Sequence, residues 1–185
     1  MKNSQNIKTI GLFFGSDTGY TESVAREIVR IIGEEHVNCH DISKSSADLF
    51  SGYDFMIIGL STWHDGQLQS DWDKFFEEFK TIDFTGKTVA FFGLGDQVGY
   101  SEYFVDGIGI LAEVVYSNGG EIVGVWPTEG YNFESSKAVF EEGWFVGLII
   151  DEDNQSNLTI SRIDQWTEQI LQEFNIDALA NKASR

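Results

Sequence analysis

The chain is poor in cysteine, in proline and in positive charge. It has one cysteine, Cys39, one proline, Pro127, and 12 lysines and arginines against 30 aspartates and glutamates. A lone thiol forms no internal disulfide, so the fold rests on its core, which suits a reducing compartment; we expect the cytoplasm. With one proline there is no Pro-rich linker, and the sequence shows neither repeats nor a low-complexity tract. The formal net charge of −18 makes nucleic acid and anionic membranes poor partners, because phosphates are bound through Lys and Arg. A basic protein partner is compatible with that charge, since opposite charge speeds encounter; simple solubility is the plainer account. No apolar run approaches the roughly 20 residues that span a bilayer. The polar start, Met1–Asn6, lacks the apolar core of a secretory signal.

Catalytic and metal constellations are also missing. His36, His40 and His64 do not converge with Cys39, because Cys39 and His40 sit on one expected strand and face opposite sides. Zinc needs three or four converging ligands. Spacing supports no Ser–His–Asp or Cys–His set. The adjacent Asp151, Glu152 and Asp153 read as a solvated loop before they read as a calcium site.

What is present is an alternation of short apolar strands with amphipathic helices. At 185 residues we expect a single domain over 1–185, with polar tails at about 1–6 and 176–185. Strands are expected at Lys8–Phe14, Val37–Asp41, Phe55–Leu60, Thr88–Gly93 and Ile122–Trp126. Helical stripes run through Val24, Ile28, Ile31 and Ile32, then Leu68, Trp72, Phe75, Phe76 and Phe79. Two further stripes are Phe104, Ile108, Leu111, Val115 and Ile163, Trp166, Ile170, Phe174. Such a pattern predicts an α/β fold with a doubly wound parallel sheet buried between helices. Ligands of such sheets sit beyond the carboxyl ends of the strands.

Three loops at those ends stand out. The first, Gly15-Ser16-Asp17-Thr18-Gly19-Tyr20-Thr21-Glu22, joins an apolar strand to a helix start. A helix N-terminus offers unpaired N–H groups and partial positive charge to an anion, and Ser16, Thr18 and Thr21 add hydroxyls. The loop has no Lys, so it is not a Walker A loop, and it is not G-x-G-x-x-G. It reads either as a site for one phosphate monoester held by neutral donors or as an ordinary capped helix. The second loop, Ser61-Thr62-Trp63-His64-Asp65-Gly66-Gln67, and the third, Leu94-Gly95-Asp96-Gln97-Val98-Gly99-Tyr100, each carry a large aromatic. Either ring alone reads as packing over a helix end. Together, at one sheet edge, they could hold a flat ligand whose phosphate reaches the first loop.

The strings GSDTGYTE, STWHDGQLQSDW, FFGLGDQVGYSEYF and FVGLIIDEDNQS, in this order from about residue 7 to residue 174, resemble segments of the flavodoxins. The polar stretch from Pro127 to Trp144, before an apolar run at Phe145–Ile150, resembles the interrupted fifth strand of the long-chain type. The resemblance implies a five-stranded sheet in order 2-1-3-4-5 inside a three-layer sandwich. It also implies non-covalent FMN. Ser16, Asp17, Thr18, Gly19, Tyr20 and Thr21 would wrap the phosphate. Trp63 and Tyr100 would cover the two flavin faces, Tyr100 the more coplanar, flanked by Ser61, Thr62, Asp65, Gly66, Gly93, Leu94 and Gly95. Asp96 would meet the pyrimidine edge, and Asp153 the ribityl side. Tyr20 stands where the family commonly has Asn or Lys, Tyr103 where Asn is common, and His64 where a small residue eases peptide rotation toward flavin N5.

By the same resemblance the protein is a one-electron carrier without a substrate of its own, working between the semiquinone and hydroquinone. Fully reduced FMN is anionic, and a like charge about 6 Å away at an effective dielectric of about 20 costs ~3 kcal/mol. Nearby carboxylates would therefore lower that couple. Implied partners are redox proteins, such as a ferredoxin-NADP reductase-like flavoprotein and a low-potential acceptor or photosystem, met by a monomer. The alternative is an FMN-dependent NAD(P)H or quinone reductase, which needs one flavin face open to a second substrate. A response regulator would need a phosphoacceptor Asp after the third strand, where this chain has Ser61-Thr62-Trp63.

Overall fold

The computed structural model describes residues 9–175. Both polar tails, together with Ile7 and Lys8, lie outside them. The elements are β1 (Ile10–Phe14), α1 (Tyr20–Ile32), β2 (Val37–Asp41), α2 (Ala47–Phe50), β3 (Phe55–Trp63), β4 (Gln67–Leu68), α3 (Ser70–Phe79) and β5 (Thr88–Leu94). They continue as α4 (Asp106–Ser117), β6 (Glu121–Val123), β7 (Trp126–Pro127), β8 (Val139–Glu141), β9 (Trp144–Phe145), β10 (Gly147–Ile150) and α5 (Thr159–Glu173).

The main sheet runs β2-β1-β3-β5 and ends in a fifth position shared by two short strands. β6 pairs with Thr88–Ala90 and β10 with Phe91–Leu94, both parallel to β5. Counting that position once, the order is 2-1-3-4-5, as expected. β1, β5 and β10 and the first six residues of β3 are almost wholly buried and apolar, as strands covered on both faces must be. On one face Phe13 stacks on Phe50 at 3.9 Å between ring centroids, in an aromatic cluster with Phe75, Phe79 and Phe84. On the other face Phe55 meets Phe174, just beyond α5, at 5.2 Å. Among the described residues no helix is long and apolar enough to cross a membrane.

Several boundaries differ from the expectation. β3 continues three residues past Leu60, through Trp63, because Thr62 and Trp63 pair antiparallel with β4. Leu68 belongs to that returning strand and not to α3, and Phe104 precedes α4. α2 was not foreseen. The fifth strand stops at Val123, not Trp126: Gly124 takes a φ of +76°, which glycine adopts without strain. Its amide donates to Glu173 Oε2 at 2.5 Å and its carbonyl accepts from Trp166 Nε1 at 2.7 Å, turning the chain off the sheet. The excursion that follows is not a simple polar loop. β7, β9 and β8 form a small antiparallel sheet, and Phe133, Tyr131 and Phe145 pack on Phe104 at 5.5, 5.9 and 6.2 Å.

Candidate functional site

Because the central strands are parallel, their carboxyl ends share one edge, and the loops after β1, β3, β5 and β10 meet there. Between them lies a cavity of about 370 Å³. Thr18, Tyr20 and Thr21 line it from the first loop, and Ser61, Thr62, Trp63 and His64 from the second. The third loop contributes Leu94, Gly95, Asp96 and Tyr100, and the turn after β10 contributes Asp153 and Glu152. Twelve of these thirteen residues were read from the sequence; Glu152 was not. Among the described residues no lysine or arginine lines the cavity.

The first loop is built around Gly19, which precedes α1 at φ +90° and caps it with no side chain. The first α-helical bond runs from Ser23 N to Gly19 O. The amides of Tyr20, Thr21 and Glu22 therefore face out of the helix end, available to an anion. Ser16 Oγ accepts from Gly19 N at 3.0 Å, so this hydroxyl shapes the turn and does not line the cavity. Asp17 does not line the cavity either. Its carboxylate accepts from Gln69 Nε2 at 2.9 Å and Ser70 Oγ at 2.5 Å, at the start of α3. Burial pushes this carboxyl up, but the bonds from Ser70 and Gln69 outweigh it and hold Asp17 below the usual carboxylate range. Asp17 thus ties the loop to α3. Gln69, fully buried and also capping α3 through Asp71 N and Trp72 N, was missed by sequence reasoning.

In the second loop the ends of β3 and β4 make a hairpin across His64, Asp65 and Gly66. Trp63 Nε1 donates to Ser61 Oγ at 2.9 Å, which orients the indole. Thr62 Oγ1 accepts from Gly107 N at 2.9 Å, at the start of α4. Asp65 is exposed away from the cavity, and Gly66 is buried against Asp106, where a Cβ would meet Oδ2 at 2.7 Å.

In the third loop Asp96 Oδ1 accepts from Gly99 N at 2.8 Å, Val98 N at 2.9 Å and Asn154 Nδ2 at 2.9 Å. Burial raises this carboxyl, and the bonds from Gly99, Asn154 and Val98 more than reverse it, leaving Asp96 below the usual range. Tyr100 N donates to Asp96 O at 3.1 Å, and Tyr103 N to Tyr100 O at 3.1 Å. The Tyr100 ring is half exposed beside the cavity, whereas Tyr103 does not line it. Gly93 lies inside β5 beneath Ile108 and reaches the cavity only through the chain that follows.

The cavity thus offers neutral donors at one end, the rings of Trp63 and Tyr100 from separate loops with that of Tyr20 at the helix end, and three carboxylates with no cation among the described lining residues to balance them. That suits a flat, phosphorylated ligand. A larger groove of about 600 Å³ between α4 and the excursion is lined mostly by apolar groups such as Tyr116, Phe140 and Val146. It lies away from the loops at the carboxyl ends of the strands.

A family model described as Flavodoxin matches residues 12–166. The chain is 48% identical over 171 residues to a flavodoxin of Haemophilus influenzae, covering 92% of this chain and 98% of that one. It is 49% identical to a flavodoxin of Nostoc sp., covering 91% and 99%. A crystal structure of Fusobacterium nucleatum flavodoxin bound to flavin mononucleotide superimposes with a TM-score of 0.84 at 33% identity, covering 90% and 98%.

Proposed function

The chain belongs to the flavodoxin family, and from that membership we infer that it is an electron-transfer protein that binds FMN non-covalently and has no substrate of its own. The observation that carries this reading is the single cavity in which the open end of α1, Trp63 and Tyr100 come together. FMN supplies one-electron chemistry when bound. The amides of Tyr20, Thr21 and Glu22 and the hydroxyls of Thr18 and Thr21 would hold its phosphate, which is close to doubly charged at neutral pH. Ser16 acts behind them by fixing the turn at Gly19, and Asp17 by fixing the loop to α3. Trp63 and Tyr100 would exclude water from the ring faces. Gly95 and Asp96 would meet the pyrimidine edge, and Asp153 the ribityl side. Asp96, Glu152 and Asp153 add negative charge where reduction adds more, which favours a low potential.

Redox proteins are the partners. The acidic surface favours a donor and acceptor with basic faces, such as a ferredoxin-NADP reductase-like flavoprotein and a low-potential acceptor, met by a cytoplasmic monomer. Rings from two loops against one flat ligand leave little room for a second substrate, which favours a carrier over a reductase. The test is stepwise anaerobic reduction of the FMN-loaded protein under visible light absorption. A third spectrum, distinct from oxidised and fully reduced flavin, is expected between two separate one-electron steps. Direct bleaching in a single two-electron step would overturn the carrier reading.

A further inference from the structure

Gln97 lines no part of the cavity, yet it is 4% exposed and all its side-chain polar atoms are engaged. Its backbone N and its Nε2 both donate to Asp151 Oδ2, at 3.1 and 2.7 Å. Its Oε1 accepts from Asn132 N at 2.6 Å, inside the excursion. Asp151 is fully buried, and its other oxygen accepts from Asp153 N at 3.1 Å and Asn154 N at 3.0 Å. Asn154 Nδ2 in turn bonds Asp96 Oδ1. One side chain therefore joins the Tyr100 loop, the turn after β10 and the excursion. Next along the chain the excursion grips the same loop again. Glu134 N and Ser135 N donate to Ser101 O at 2.9 and 3.1 Å, and Ser135 Oγ donates to Glu102 O.

We propose that Gln97 is a positioning residue for the flavin site, and that through it the excursion acts as the rear support of the Tyr100 wall. The inference rests on the assignment of FMN to the cavity made above. Gln97 does not touch that cavity; it acts through its neighbour Asp96, whose carbonyl holds Tyr100 N. The chemistry asks for glutamine. The donor end meets a carboxylate, the acceptor end meets an amide, and both must be spanned at once. Leucine would fill the space and make neither bond. Asparagine has both groups but is one methylene too short. A buried network of this kind holds one geometry when every member is satisfied and loosens when one is lost.

The test compares Gln97→Leu with Gln97→Asn, Tyr100→Ala and, as a core control in α5, Ile163→Val. In the apoprotein, amide hydrogen exchange is read at Val98, Gly99 and Tyr100. In the loaded protein, FMN affinity and the visible circular dichroism of the bound flavin are read. Gln97→Leu is expected to speed exchange at those three amides by about tenfold, to weaken FMN by about tenfold and to change the flavin dichroism. Gln97→Asn, the milder variant should Gln97→Leu not fold, is expected to move the same readouts less. Ile163→Val should move none of them selectively. If Tyr100→Ala weakens FMN while neither Gln97 variant does, or if exchange rises evenly over the whole chain, the positioning role is refuted. If Tyr100→Ala leaves FMN affinity unchanged, the assignment of the cavity falls, and this inference with it.

Discussion

His64 carries the clearest local strain beside the cavity. Its φ of +44° lies in the left-handed region, in the hairpin that presents Trp63. For a residue with a Cβ that conformation costs roughly 1–2 kcal/mol, though histidine adopts it more readily than most. His64→Gly is therefore expected to stabilise the apoprotein by about 0.5–1 kcal/mol, glycine's own entropy offsetting part of the relief. A higher urea midpoint checks this; a lower one would mean that the imidazole's contact with the Trp63 ring, 6.2 Å between centroids, outweighs the strain. Residues of the site differ in how far they can be read without coordinates. Trp63 and Tyr100 are legible because large aromatics in polar loops are conspicuous. Gln69, Gln97 and Asp151 are not, because a polar residue in a polar loop looks solvated until its burial is known. Asp17 shows the complementary case: its place in the loop was legible, the partners of its carboxylate, Gln69 and Ser70, were not.

Among the elements, helices with a strong apolar stripe were legible and the short β additions were not. Leu68 falls four residues before Trp72, a helical spacing, and is buried like it, so periodicity alone extends α3 backward over β4. The excursion is held by contacts distant in sequence. Asp106, 2% exposed at the start of α4, accepts from Lys137 N at 2.8 Å and lies 3.4 Å from Lys137 Nζ. The ammonium is mostly exposed and contributes little. The amide would be left without its acceptor, so Asp106→Ala is expected to cost about 2–3 kcal/mol. Urea denaturation checks the loss, with Asp106→Asn retaining much of the stability because it keeps an acceptor. A loss within about 0.5 kcal/mol would show that the excursion stays docked by its aromatic contacts alone.

At the scale of the whole molecule the excess of acid governs the response to pH. Asp17 and Asp96 both ionise more readily in the folded chain than when unfolded. Their contribution is complete above the unfolded carboxylate value of about 4 and is lost as pH falls through the lower folded values. His40 acts at a higher pH. Burial lowers its pKa, and its ring bonds Tyr53 Oη at 2.7 Å and stacks on Phe13. The unfolded chain takes up the proton first, so stability falls as pH drops through about 6.5 and the fall is complete below the folded value. Denaturation between pH 8 and pH 3 should show both losses. His40→Gln is expected to flatten the upper one, and Asp17→Asn the acid limb; a slope unchanged by both would refute these assignments.

The sequence by itself determined the sheet, its helices and the edge at which a ligand must sit, because periodicity and turn chemistry are local and parallel strands leave only one end for converging loops. It also brought out Trp63 and Tyr100, which line the cavity, and the cation-free loop. Tertiary structure decided which polar groups face the cavity and which are spent holding loops together. It turned Asp17 toward α3, placed Glu152 on the cavity wall, moved the break in the fifth strand, itself legible, from Trp126 back to Gly124, and bonded the excursion to Gln97. Those outcomes depend on hydrogen bonds between residues tens of positions apart, and no local pattern encodes which partner a buried polar group will find.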